Sequence, residues 1–186
     1  MDTQKTTEMR IAGFGGQGVI LAGMILGRAV SIFENRHATL MQSFGPEARG
    51  GACSAQVVLA DDRILYPYVK HSDLLVAMSQ EALRLYLAEL KPGCRLLYES
   101  DLVDVSAVPP EVPKFGVPAT ALAEQLRRKI VLNIVMVGFV AAVGGVVGHE
   151  AARQAVLSSV PAGTESLNGR AFDAGYNYGI EHYGRA

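Results

Sequence analysis

Tryptophan is missing from the chain, and cysteine occurs only at Cys53 and Cys94. Two thiols cannot hold an iron–sulfur cluster or a zinc ion unaided. Each falls in a segment that reads as a strand, where a buried, inert thiol is expected. Neither sign of charge is in excess: 17 basic residues face 18 acidic ones, a formal charge of −1. That balance gives no electrostatic basis for nucleic-acid binding. The start, Asp2 to Glu8, is polar and has no apolar core, so no secretory signal is expected and a reduced, cytoplasmic setting follows.

Familiar catalytic signatures are absent as well. The chain has no Gly-x-Ser-x-Gly elbow, no His-Glu-x-x-His, and no lysine in its glycine-rich turn. His37, His71, His149 and His182 are dispersed, and each reads as structural or solvent-exposed. His71, beside Asp73, marks the start of a strand. Ile130 to Val147 carries no charge and follows Arg127, Arg128 and Lys129. At roughly 18 residues it sits at the lower limit for a membrane span. Asn133, Gly138, Gly144 and Gly145 interrupt it, so a helix buried in protein is expected, with no membrane association.

Glycine is plentiful, at 20 residues, and hydrophobic residues make up 49% of the chain. The length of 186 residues suits one domain able to bury about 70% of its unfolded surface. A polar tail over residues 1–8 and a single domain over residues 9–186 are the expected organisation. The glycines concentrate where a short apolar strand, Ile11-Ala12, runs into Gly13, Gly15, Gly16 and Gly18 before a helical pattern starts at Val19. Gly13, Gly15 and Gly18 fit the Gly-x-Gly-x-x-Gly turn. Glycine lets the backbone take positive φ and approach a ligand, while free N–H groups at a helix start favour an anion. The bland reading is a tight strand–helix turn without a ligand. A dinucleotide site also wants an acid at the end of the second strand. Here that strand, His37 to Gln42, ends without one.

Farther along, Val19 to Phe33 reads as a helix rich in small residues, and Ala52 to Ala60 as a third strand. Ile64 to Tyr68 reads as a short strand beside it. Asp73 to Met78 has the continuous apolar character of a central parallel strand, and Ser79 caps a helix to about Leu90. Lys91-Pro92-Gly93 reads as a turn before a buried strand at Cys94 to Tyr98. Pro109, Pro110 and Pro113 mark an extended connection. Helices are expected at Ala119 to Arg128, Ile130 to Val147, Glu150 to Ser159 and Glu165 to Tyr183. The alternation implies a Rossmann-like α/β domain, a mostly parallel sheet with helices on both faces.

In such a sheet ligands gather at the carboxyl ends of the strands. The loops 13–18 and 43–51 both follow strands, so both should open on one edge. Arg49 is the only cation in either loop. Its planar fork suits a phosphate or carboxylate, with Gly50-Gly51 allowing close approach. A surface pair with Glu47, worth little, is the alternative. Gln17 suits either an amide hydrogen bond to a ligand or support of the turn. Phe44 and Pro46, apolar in a loop, suggest packing onto a partner or ligand; Tyr66, Pro67 and Tyr68 read as packing or interface residues.

Gly13-Phe14-Gly15-Gly16-Gln17-Gly18, taken with Ser43-Phe44-Gly45-Pro46-Glu47-Ala48-Arg49-Gly50-Gly51, resembles the gamma subunit of 2-oxoacid:ferredoxin oxidoreductases. The spacing of the two motifs, Tyr66-Pro67, and Asn133 before an apolar helix extend the resemblance over most of the chain. Within that family the loop looks most like the 2-oxoglutarate branch. The resemblance implies one part of a larger enzyme that converts a 2-oxoacid and coenzyme A to acyl-CoA and carbon dioxide while reducing ferredoxin. It implies alpha and beta partner subunits, and optionally a delta subunit, with thiamine diphosphate, magnesium and iron–sulfur clusters held there. The isolated chain, which has no catalytic residue of its own, should be inactive. Coenzyme A is the co-substrate expected at Gly13, Gly15, Gly16, Gln17, Gly18, Arg49, Gly50 and Gly51. The alternatives are a purely structural docking subunit of the same complex and a stand-alone Rossmann nucleotide-binding oxidoreductase.

Overall fold

Residues 6–45 and 51–184 are described in a computed structural model. Apolar, strand-favouring segments build one six-stranded sheet. Its strands are β1 (Thr6–Phe14), β2 (His37–Phe44), β3 (Ala52–Ala60), β4 (Ser72–Ala77), β5 (Leu90–Glu99) and β6 (Lys114–Val117), in the order β2-β3-β1-β4-β5-β6. The β1–β4, β4–β5 and β5–β6 pairs are parallel, whereas β3 runs antiparallel to both β1 and β2. The mostly parallel α/β expectation therefore holds, with β3 as the reversed strand.

The helices are α1 (Val19–Arg28), α2 (Gln80–Tyr86), α3 (Ala119–Gln125), α4 (Leu132–Val143), α5 (His149–Ser159) and α6 (Glu165–Tyr183). A π-helical segment, Ala29–Phe33, extends α1. The main core joins the sheet to α1 and α3 through α6, and includes Ile11, Val57, Val76, Phe139 and Phe172. A smaller cluster lies on the other face, where Leu75, Ala77 and Leu96 meet Leu83 of α2 with Val103 and Val108. The chain leaves β1 through α1 toward β2 on one side, and continues from β4 through α2 to β5 on the other. The sheet therefore reverses its winding beside β1, where an α/β sheet opens a crevice.

Residues 6–8, placed in the polar tail by sequence, belong to β1: Thr6, Thr7 and Glu8 stand opposite Ala60, Leu59 and Val58. The Glu8 carboxylate accepts from the Lys70 and His71 amides, and its own amide donates to Asp73. Ile64 to Tyr68 is not a strand. Pro67 has no N–H to give a ladder, and Tyr66 and Tyr68 remain half-exposed against each other, ring centroids 5.4 Å apart.

Lys91-Pro92-Gly93 lies inside β5 rather than before it. Pairing steps from Ser72–Leu90 to Leu74–Arg95, so the extra residues form an irregularity, with Gly93 at φ 80°. β6 went unrecognised because four residues behind three prolines carry too short a pattern. The helix expected over Ile130 to Val147 is shorter. A 3-10 turn, Lys129–Val131, precedes α4, which stops at Gly144. From Asn133 to Val143 every residue of α4 is buried, which explains apolarity on all sides without lipid. No described helix is long and apolar enough to cross a membrane.

β6 is a sheet edge, and α6 secures it. The Tyr183 hydroxyl accepts from Gly116 N at 3.1 Å and donates to Gly116 O at 2.9 Å. Tyr183→Phe removes both bonds while keeping the ring against Phe115 and Phe139. A loss of about 1 kcal/mol is expected, from about 0.5–1.5 kcal/mol per hydrogen bond with partial replacement by water. Denaturant unfolding measures it.

Candidate functional site

One rung joins the carboxyl ends of β1 and β2 to the amino end of the reversed β3: Phe44 of β2 and Gly13 of β1 both pair with Cys53 of β3. β1 then turns through Gly15, Gly16, Gln17 and Gly18 into α1. Gly16 and Gly18 take φ of 98° and 73°, and Gly18 is the left-handed N-cap of α1. A Cβ on Gly18 would come within 2.5 Å of the Asn133 amide. Both the conformation and the approach therefore require glycine.

The two glycine loops do meet. Gly15 N donates to Gly51 O at 3.0 Å, while Gly45 N donates to Ala52 O at 2.7 Å and so closes the second loop on itself. Gln17 is spent on the turn itself. Its Oε1 accepts from Phe14 N at 2.6 Å and its Nε2 donates to Met78 O at 2.9 Å, tying the turn to the end of β4. Of the two roles open to Gln17, support of the turn matches this geometry. Pro46, Glu47, Ala48, Arg49 and Gly50 lie outside the described residues.

Beside the turn is a cavity of about 560 Å³. Gly15, Gly16, Gly18 and the first turn of α1 form one wall. Ile130, Val131, Asn133 and Ile134 form a second, and Val160, Pro161, Thr164, Leu167 and Asn168 a third, with Phe14, Phe44 and Cys53 completing it. None of these residues is charged. α1 enters without a side-chain cap and without an acid in its first turn. Its leading N–H groups are therefore suited to an anion at the mouth. Phe14, Phe44 and Ile130 stay exposed around the opening, Ile130 at 83%.

Among the described residues the cavity holds little reactive chemistry. No histidine is among the described residues that line it. Burial raises the Cys53 thiol above its ordinary range and pushes Cys94 up to about 11, so both remain protonated at neutral pH and poorly nucleophilic. Both are buried, as the sequence suggested. Among the described residues no three His, Cys, Asp or Glu side chains come together as a metal would need. Sequence reasoning missed Thr164 and Asn168, and read Asn133 as an interruption of an apolar run and a feature of the family resemblance without giving it a role at the site. The signal lay in polar residues at the starts of helices, and it needed the packing of α4 beside α6 to acquire a meaning.

Glu99 ends β5 away from this cavity and is fully buried. Oε1 accepts from the Thr120 and Asp101 amides at 3.2 and 3.3 Å, while Oε2 has no partner. Burial raises its pKa despite those amides. A raised carboxyl pKa means the native state holds the proton longer than the unfolded chain. Stability is therefore full below the unfolded value and declines as pH rises through the folded one. Glu99→Gln is expected to keep both amide contacts and flatten that decline, measured as melting temperature against pH from 4 to 8.

A family model described as pyruvate ferredoxin/flavodoxin oxidoreductase matches residues 8–178. The chain belongs to this family. A 2-oxoglutarate synthase subunit KorC from Methanothermobacter marburgensis is 48% identical over 174 residues, covering 90% of this chain and 94% of the relative. The KorC from Methanocaldococcus jannaschii is 44% identical over 176 residues, covering 94% of each. The fold matches the keto/oxoacid ferredoxin oxidoreductase gamma subunit from Geobacter sulfurreducens PCA with a TM-score of 0.81. That match has 41% identity and covers 94% of this chain and 99% of the other. A 2-oxoglutarate:ferredoxin oxidoreductase from Magnetococcus marinus, with 2-oxoglutarate, coenzyme A and succinyl-CoA bound, shares the fold at a TM-score of 0.81. Its identity is 21%, and the match covers 96% of this chain and 32% of that one. The membership expected from the paired glycine motifs is correct, and the whole chain up to α6 carries it.

Proposed function

We propose that the chain is the gamma subunit of a multi-subunit 2-oxoglutarate:ferredoxin oxidoreductase and supplies the coenzyme A side of a shared active site. The overall reaction joins 2-oxoglutarate and coenzyme A into succinyl-CoA with release of carbon dioxide, the electrons passing to ferredoxin. The KorC relatives, at 44–48% identity over most of their length, support the substrate and the assembly. The observation that carries the chain's own role is the uncapped start of α1, reached through Gly18, beside a cavity whose described lining residues carry no charge. That arrangement favours a ligand joining phosphate to apolar parts, as coenzyme A does. Alpha and beta partner subunits, and optionally a delta subunit, hold thiamine diphosphate, magnesium and the iron–sulfur cluster in this reading. A cytoplasmic complex belongs to the same reading.

Exposed Phe14, Phe44 and Ile130 favour a second reading, in which this rim only docks onto partner subunits. Calorimetric titration of coenzyme A into the assembled complex separates the two. Gly18→Ala is expected to weaken binding about tenfold or more while the complex keeps its size. Unchanged affinity, or loss of assembly without loss of affinity, supports docking alone. A stand-alone dinucleotide enzyme is disfavoured because the last residues of β2, Gln42, Ser43 and Phe44, include no acid for the ribose.

A further inference from the structure

The helices α4 and α6 run side by side in the same direction: Gly138 lies against Phe172 and Tyr176, and Gly179 against Ala142. Their starts consequently share the cavity with the start of α1. Like α1, α4 begins without a side-chain cap or an acid in its first turn. Two buried carboxamides stand among these helix starts, Asn133 at 4% exposure and Asn168 at 7%. The Nδ2 of Asn133 donates to Gly18 O at 3.4 Å, and that of Asn168 to Thr164 O at 3.0 Å. Carbonyl oxygens only accept, so both amide orientations are fixed with Oδ1 as an acceptor. Neither Oδ1 has a hydrogen-bond partner among the described residues. The cavity thus presents apolar walls and two acceptors, and asks for a flat apolar group bearing N–H donors.

A cationic edge lies next to it. Arg127 and Arg128 are exposed just before Ile130 at the mouth, and neither side chain pairs with a described residue. Arg127 holds φ at 57°, a left-handed value uncommon for a non-glycine residue. The neighbouring Lys129 is engaged with Glu124 at 2.7 Å.

We infer that the cavity seats the adenine end of the coenzyme, with Asn133 and Asn168 accepting from its exocyclic amine and Arg127 and Arg128 taking the nucleotide phosphates. This rests on the coenzyme A reading above. The direction follows from the division of labour. Among the described residues the cavity wall offers no acid, base or reactive nucleophile for the oxoacid, so the reacting thiol is directed out of the cavity, toward the partner subunits. The buried seat is left for the end that does not react. The phosphate charge then falls between the helix starts and the arginines, where it is best stabilised.

The test uses the assembled complex and two halves of the coenzyme, adenosine 3′,5′-bisphosphate and 4′-phosphopantetheine, measured by calorimetry. The nucleotide half is expected to bind and compete with coenzyme A. Asn133→Leu should weaken it about five- to tenfold and abolish any preference over its 6-deamino purine analogue. A preference for the amine is something a merely structural Asn133 would not set. Arg127→Asn with Arg128→Gln, both exposed and harmless to the core, should weaken the nucleotide half about tenfold with a reduced salt dependence. Asn168→Leu is the second cavity variant, used if Asn133→Leu fails to assemble. Unchanged binding of the nucleotide half in these variants, with weakened phosphopantetheine, overturns the inference. If Gly18→Ala still weakens coenzyme A, the functional reading survives that outcome. If Gly18→Ala leaves coenzyme A binding untouched as well, the functional reading falls with it.

Discussion

Gly175→Ala is expected to cost at least about 3 kcal/mol, a large share of the stability of a domain this size. The Cβ would land on the Val135 carbonyl of α4, and one on Gly138 would land on the Phe172 carbonyl of α6. These obstacles are backbone, so no side chain can turn aside. The two helices would have to separate along a seam that also holds buried Phe139 and Phe172. Overpacking costs about 1–3 kcal/mol where side chains can yield, and more where they cannot. Gly169→Ala is the control on the same helix. Its Cβ meets Leu157 and Arg153 only at 3.5 and 3.6 Å, ordinary contact. Replacing a helical glycine by alanine there should gain up to about 1 kcal/mol. Urea unfolding of the three forms gives both numbers, and equal stability of Gly175→Ala and the parent chain would contradict the packing described.

Arg49→Ala is expected to raise the KM for coenzyme A about ten- to a hundredfold while the KM for the 2-oxoacid stays within about twofold. Arg49 lies in sequence between Gly45 and Gly51, and Gly51 accepts from Gly15 of the glycine turn. A lost charge-assisted contact costs about 1.5–3 kcal/mol, which is that range of affinity. Coenzyme A carries several phosphate charges, whereas the oxoacid chemistry belongs to partner chains in the proposed division. Steady-state kinetics on complexes first checked for size decide it. An unchanged KM for coenzyme A in a complex that falls apart makes Arg49 an interface residue instead.

Where a local signal was strong, the sequence was readable. Ala52 to Ala60 and Glu165 to Tyr183 have the bounds their patterns suggested. Ser79 caps α2 through its side chain, accepting from Ala82 N at 3.1 Å. Of the motif glycines Gly13, Gly15 and Gly18, only Gly18 takes positive φ, and the other positive φ of the turn falls on Gly16 between them. The misreadings arose where a local pattern competes with tertiary pairing. Lys91-Pro92-Gly93 has turn chemistry, yet the neighbouring β4 carries it into the sheet as an irregularity. Ile64 to Tyr68 has strand composition, but Pro67 and the packing of Tyr66 on Tyr68 keep it irregular.

The site divides in the same way. Its glycine wall was legible because backbone conformation limits residue choice locally. Asn133, Thr164 and Asn168 were not legible as a set, because α4 and α6 come together only through contacts distant in sequence. Gln17 was ambiguous until its two amide bonds to Phe14 and Met78 were visible.

A structure of the assembled complex with coenzyme A bound tests the central claim most directly. The account predicts the coenzyme against Gly15, Gly16 and Gly18 at the start of α1, with its nucleotide in the adjoining cavity and its thiol directed into a partner subunit. Coenzyme A held entirely by other subunits, with Phe14, Phe44 and Ile130 buried under partner protein and the cavity closed, would contradict it.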